Sequence, residues 1–203
     1  ALAVTAALAT AAPVRAASLP DFPGIDLIPA AEVLRSHTTT SATGDLLLVD
    51  AAGARIRLVT SIDDPAVANR GDGSFHPVAE EDARDALAGV AAPFLRPLQT
   101  SVYLLPYPRA GAIASSADSL AIYLAPGTDA GATRRAAARL LAHELGHAVA
   151  HRFLSAGDPW WGRYRELRGI TDDARFHARA AHADRPAELF AEDFRVLFGG
   201  PAA

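Results

Sequence analysis

Three stretches of the chain repeat apolar residues at helical spacing, and several shorter runs group them as strands do. Residues 130–153 are rich in Ala, Leu and Arg, with Leu141, Leu145 and Val149 four apart, which predicts one helix buried on that stripe. A second helix is expected from Pro186 onward. Proline suits the first turn, Asp184 suits the N-cap, and Leu189, Phe190, Phe194, Val196 and Leu197 make a broad apolar face. Residues 78–92 form a third, with Glu80, Glu81 and Asp82 in its first turn, Leu87 and Val90 on one face, and Pro93 as terminator. Residues 45–50 and 54–60 read as a hairpin around Ala51-Ala52-Gly53, with Ile56 and Leu58 facing a core between Arg55 and Arg57. Residues 101–106 and 121–124 read as strands joined by a loop of small residues. Residues 61–77 are polar and Gly-rich, hence loop, and residues 163–168 are helical after a Trp160-Trp161 entry.

These elements give an α+β domain over residues 45–203: a small mixed sheet packed on a long helix, followed by a helical C-terminal part. Residues 17–44, with Pro20, Pro23 and Pro29, read as an extended linker with a short helix at 30–35. Residues 1–16 are Ala-rich and apolar and end in Val14-Arg15-Ala16, a small-residue cleavage pattern. They are expected to act as a secretory signal, with the protein exported from a bacterial cell. The run is too short to span a membrane, and no other segment offers a stable span.

Composition narrows the chemistry. The net charge of −4, from 19 basic and 23 acidic residues, lacks the basic footprint of a nucleic-acid binder. There is no cysteine, which excludes disulfides, thiolate metal ligands and a Cys nucleophile. Histidine and carboxylate ligation remain.

The long helix carries His143-Glu144-Leu145-Gly146-His147. Histidines four apart share a helix face, so both imidazoles can converge on one metal ion. Glu144 can take a proton from an attacking water. This is the His-Glu-x-x-His arrangement of zinc peptidases. Gly146 costs about 1 kcal/mol in a helix interior, which points to something packed closely against it. A catalytic zinc takes three protein ligands. Glu188 and Glu192 share a face of the second helix, and a cation would relieve their repulsion. Glu188 is the candidate third ligand, and Glu192 the candidate partner that orients a ligand imidazole. His151 continues the histidine face but lies too far along the axis, and Asp184 and Asp193 fit the helix faces less well.

Both motifs together, His-Glu-Leu-Gly-His-Ala-Val and Pro-Ala-Glu-Leu-Phe-Ala-Glu-Asp-Phe-Arg, resemble the catalytic domain of anthrax toxin lethal factor and its bacterial relatives, a gluzincin-type group of zinc metallopeptidases. The likeness covers residues 121–200. It implies a zincin-like domain, a Zn²⁺ cofactor held by His143, His147 and Glu188, and hydrolysis of a peptide or protein substrate with Glu144 as general base. It also implies an edge strand before the active helix that pairs with substrate, placed on Ser119, Ala121 and Tyr123. The group carries a tyrosine seven residues before the ligand Glu, where this chain has Ala181. His182 is next to it and can take the donor role, with His177, Tyr164 and Arg185 as alternatives. A zinc-binding interaction module and an amidase acting on cell-wall peptides are the rival functions. Substrate and oligomeric state are not legible in the sequence.

Overall fold

The structure is a computed structural model that describes residues 22, 24–90, 95–131, 134–154, 157–201 and 203. The proposed signal segment lies outside these residues. The chain is an α+β fold built on a four-stranded sheet of order β1-β5-β7-β6, where β1 is Ile25–Ile28, β5 Thr100–Leu104, β6 Ser116–Ala117 and β7 Ala121–Leu124. β1, β5 and β7 run parallel, and β6 is antiparallel to β7, with Ser116 opposite Tyr123 and Ala117 opposite Ile122. Three further strands, β2 (Thr38–Thr40), β3 (Leu46–Val49) and β4 (Arg55–Arg57), form a second, antiparallel sheet. The helices are α1 (Ala30–Ser36), α2 (Glu80–Gly89), α3 (Arg134–Phe153), α4 (Pro159–Arg168) and α5 (Pro186–Phe198).

Strand alternation sorts the core into two layers. Val102, Leu104, Ile122 and Leu124 face α2, α3 and α5, packing with Leu87, Leu141, Leu145 and Phe194. Tyr103, Leu105, Ala121 and Tyr123 face the other way, onto Val33 of α1 and onto Leu48 and Leu58 of the small sheet. α3 therefore lies between the main sheet and the pair α2 and α5, its apolar stripe buried as the spacing predicts. No helix among the described residues is long and apolar enough to cross a membrane.

The hairpin forms as expected, with Leu48 opposite Ile56 and Gly53 at φ 80° in the turn. The linker expectation for residues 17–44 needs correction. Within it, β1 is a buried strand parallel to β5, α1 is the short helix foreseen, and β2 edges the small sheet. A strand buried on both faces shows no polar alternation, and flanking prolines hide a four-residue run such as Ile25–Ile28. Asp184 does not cap α5; it pairs with Arg175, and the cap position falls to Arg185.

Candidate metal centre

α3 sets His143 and His147 one turn apart, their rings edge-to-face with centroids 4.9 Å apart. α5 crosses this turn and brings Glu188 to both. Glu188 Oε2 lies 3.2 Å from His147 Nε2 and 3.4 Å from His143 Nε2. The helices approach this closely because residue 146 is glycine. A Cβ there would stand 2.7 Å from Ala191 Cα and 3.0 Å from both Ala191 O and Phe194 Cβ. The glycine expected to mark close packing does so, against the helix that carries the third donor.

His143, His147 and Glu188 form a group able to hold a metal ion. Two donors on a tetrahedral zinc, each about 2.0–2.1 Å from it, stand about 3.4 Å apart. The two spacings to Glu188 match, all three donor atoms lie within 4.8 Å of one another, and two nitrogens with one carboxylate oxygen are a suitable donor set for a divalent ion of this kind. Burial lowers the pKa of His147 and favours the neutral imidazole that ligates, with the Glu188 charge opposing the shift.

Glu144 is 4% exposed, and its Oε2 is buried without a hydrogen-bond partner. Burial pushes its carboxyl up to about 7; the Glu188 charge adds to the rise and the Arg109 charge opposes it. An unpartnered buried carboxyl beside a ligand triad is poised to exchange a proton near neutral pH. Glu192 reaches His143 Nδ1 at 3.6 Å, an ion-pair distance longer than a hydrogen bond. Its main partner is Arg195, bound through two contacts of 2.6 and 2.9 Å. That guanidinium holds its carboxyl below the usual range.

His182, in a 3₁₀ turn of residues His182–Asp184 ahead of α5, places Nε2 3.3 Å from Glu188 Oε2 while its side chain stays 71% exposed. The other donor candidates are engaged elsewhere. The Tyr164 hydroxyl donates to Asp193, Arg185 Nε donates to Ala180 O, and His177 Nδ1 accepts from the Arg179 amide. Asp193 is held by Tyr164 and Arg168, and His151 is exposed at the far end of α3. Trp160 is exposed, whereas Trp161 stacks on Tyr164 and meets Phe190 edge-on.

The strand assigned to substrate is corrected. β7 is not an edge: β5 pairs with it on one side and β6 on the other. Ala121 is buried. Tyr123 is 1% exposed and stacked on Tyr103, its hydroxyl accepting from the Ala51 amide, and Ser119 lies in the turn before β7. The free edge on this side, among the described residues, belongs to β6. Sequence reading missed β6 because two residues of small side chain carry no periodicity. Between the segment ahead of β6 and α3 lies a largely apolar cavity of about 620 Å³, lined by Ile113, Ala114, Ser115, Ala137 and Leu140 among others. Leu140 and Ala136 also line the hollow that reaches His143 and Glu192. Arg109, buried near this edge, was likewise missed. A lone Arg in a small-residue loop carries no signal in sequence.

Comparison with protein-family profiles, with curated proteins and with solved structures gives no match for this chain.

Proposed function

We propose that the protein is a zinc-dependent metalloendopeptidase with a zincin-like fold, of the kind its two motifs resemble. The observation that carries this reading is the convergence of His143, His147 and Glu188 beside a buried, unpartnered Glu144. A mixed sheet with a free antiparallel edge strand ahead of α3 supports it. The ion, when bound, supplies a Lewis acid at the scissile carbonyl and acidifies water.

The chain's own residues do the rest. His143 and His147 present Nε2 to the centre, and Glu192 beside His143 Nδ1 biases that ring toward the tautomer in which Nε2 is free to ligate. Glu144 accepts the proton of the attacking water and passes it to the leaving amine. His182, at the rim of the triad, donates toward the developing oxyanion in place of the tyrosine absent at Ala181. The apolar cavity beside Leu140 receives a substrate side chain, and the β6 edge offers backbone groups to an extended peptide.

The test is metal analysis joined to hydrolysis of a generic protein such as casein. The expected result is one zinc per chain and cleavage that a chelator stops and added zinc restores. Cleavage indifferent to the chelator, or a folded chain that takes up no zinc, would overturn the reading.

A further inference from the structure

Arg109 is an expensive residue in this fold. It is 8% exposed, and its Nε is buried with no hydrogen-bond partner. Burying a guanidinium costs several kcal/mol unless its surroundings compensate. Its guanidinium carbon lies 4.0 Å from the centroid of the Tyr123 ring, a cation–π geometry, and Nη2 donates to Ser116 Oγ. Its backbone is fixed as well: Arg109 bridges to Leu58, and the neighbouring Ala110 amide donates to Arg57 O. Backbone at residues 109–110 thus ties this segment to the small sheet, and the Arg109 side chain joins the rear face of β7 to the edge strand β6.

β6 has two residues, too few for its ladder alone to hold it against fraying. Two side-chain ties hold this segment to its surroundings. Ser115 Oγ accepts the Ala125 amide at 2.9 Å, and Ser116 Oγ is bound by Arg109. Ser116 shares the face of its partner Tyr123, while Ala117 packs on the α3 side. Arg109 therefore grips the edge strand from behind and leaves its outer edge free.

We propose that Arg109 is a positioning residue for peptide binding: packed on Tyr123 and bonded to Ser116, it fixes the β6 edge alongside α3 so that an extended chain can pair with it. This rests on the peptidase reading. A planar, stackable guanidinium serves here and an ammonium does not, because lysine cannot lie flat on Tyr123 and reach Ser116 together.

The test compares two probes on the zinc-loaded protein, a peptide hydroxamate (acyl-Gly-Leu-Leu hydroxamate) and acetohydroxamate, which lacks a peptide backbone. In Ser116→Ala and Arg109→Lys, affinity for the peptide hydroxamate should fall about tenfold while acetohydroxamate binding and zinc content stay as in the parent. Amide exchange at residues 116–117 should quicken in the same variants. Ser116→Ala leaves the guanidinium on Tyr123 and removes only its bond to β6, so it tests the same tie if Arg109→Lys folds poorly. Equal losses for both probes, or unchanged affinity and exchange, would overturn the proposal. A parent that binds acetohydroxamate but gains nothing from the peptide portion would also overturn it. A parent that holds no zinc, or holds zinc and binds neither probe, would instead bring down the peptidase reading beneath it.

Discussion

A carboxyl buried as deeply as that of Glu144 titrates late, with consequences for activity and for stability. Only the carboxylate accepts a proton from water, so kcat/KM should rise with pH toward neutrality, with a midpoint no higher than about 7 because a bound cation can only lower it. For stability the sign is opposite. An ordinary Glu titrates near 4.5 and Glu144 in the fold near 7. Between those values the folded state holds the extra proton. Its contribution is therefore full below about 4.5 and declines as pH climbs to about 7, by about 3 kcal/mol in all. Metal-free Glu144→Gln escapes this loss, so thermal melts should place it above the metal-free parent at about pH 8 and level with it at about pH 4. Equal shifts at both pH values would contradict the burial account. Glu188→Ala removes one of three donors and should weaken zinc binding by more than about 10²-fold in a competition titration; unchanged affinity would place the third ligand elsewhere.

At the scale of elements, the close crossing of α3 and α5 decides whether the site exists. Gly146→Ala tests it. Alanine favours a helix by about 1 kcal/mol, yet here its Cβ would press on Ala191 and Phe194. Overpacking costs about 1–3 kcal/mol, so the variant should melt lower, and zinc affinity should fall because Glu188 rides on the displaced α5. A stabilised variant with parental zinc affinity would show that the helices do not depend on this contact. The same crossing explains what the sequence disclosed. Histidines four apart, a helical glycine and a paired Glu188 and Glu192 are local patterns, and they placed the donor triad before any tertiary information. β1 and β6 were not legible, since both are too short for a period and gain their meaning only from partners distant in the chain. Assigning the edge to β7 failed for that reason: a strand's neighbours are a property of the sheet, not of its own residues. Arg109 is the same case, recognisable only through Tyr123 and Ser116.

Across the whole molecule, the proposed ion ties α5 to α3 in a chain with no cysteine to crosslink it. Ligand linkage then stabilises the fold by about 2.7 kcal/mol at a free zinc concentration a hundred times Kd. Melting temperature should rise with zinc, fall to the apo value with a chelator, and respond far less to either in Glu188→Ala. The layered core that surrounds α3 is independent of metal, so the apo protein should keep its helical circular dichroism. Whether this scaffold performs the proposed chemistry is decided by one paired digestion. The zinc-loaded protein and its Glu144→Gln variant are incubated with a diverse peptide mixture, and products are read by mass spectrometry. Cuts are expected from the parent alone, with both proteins holding equal zinc. Cuts that persist in Glu144→Gln, or none from a folded, zinc-loaded parent, would overturn the proposed role of Glu144 and the peptidase function with it.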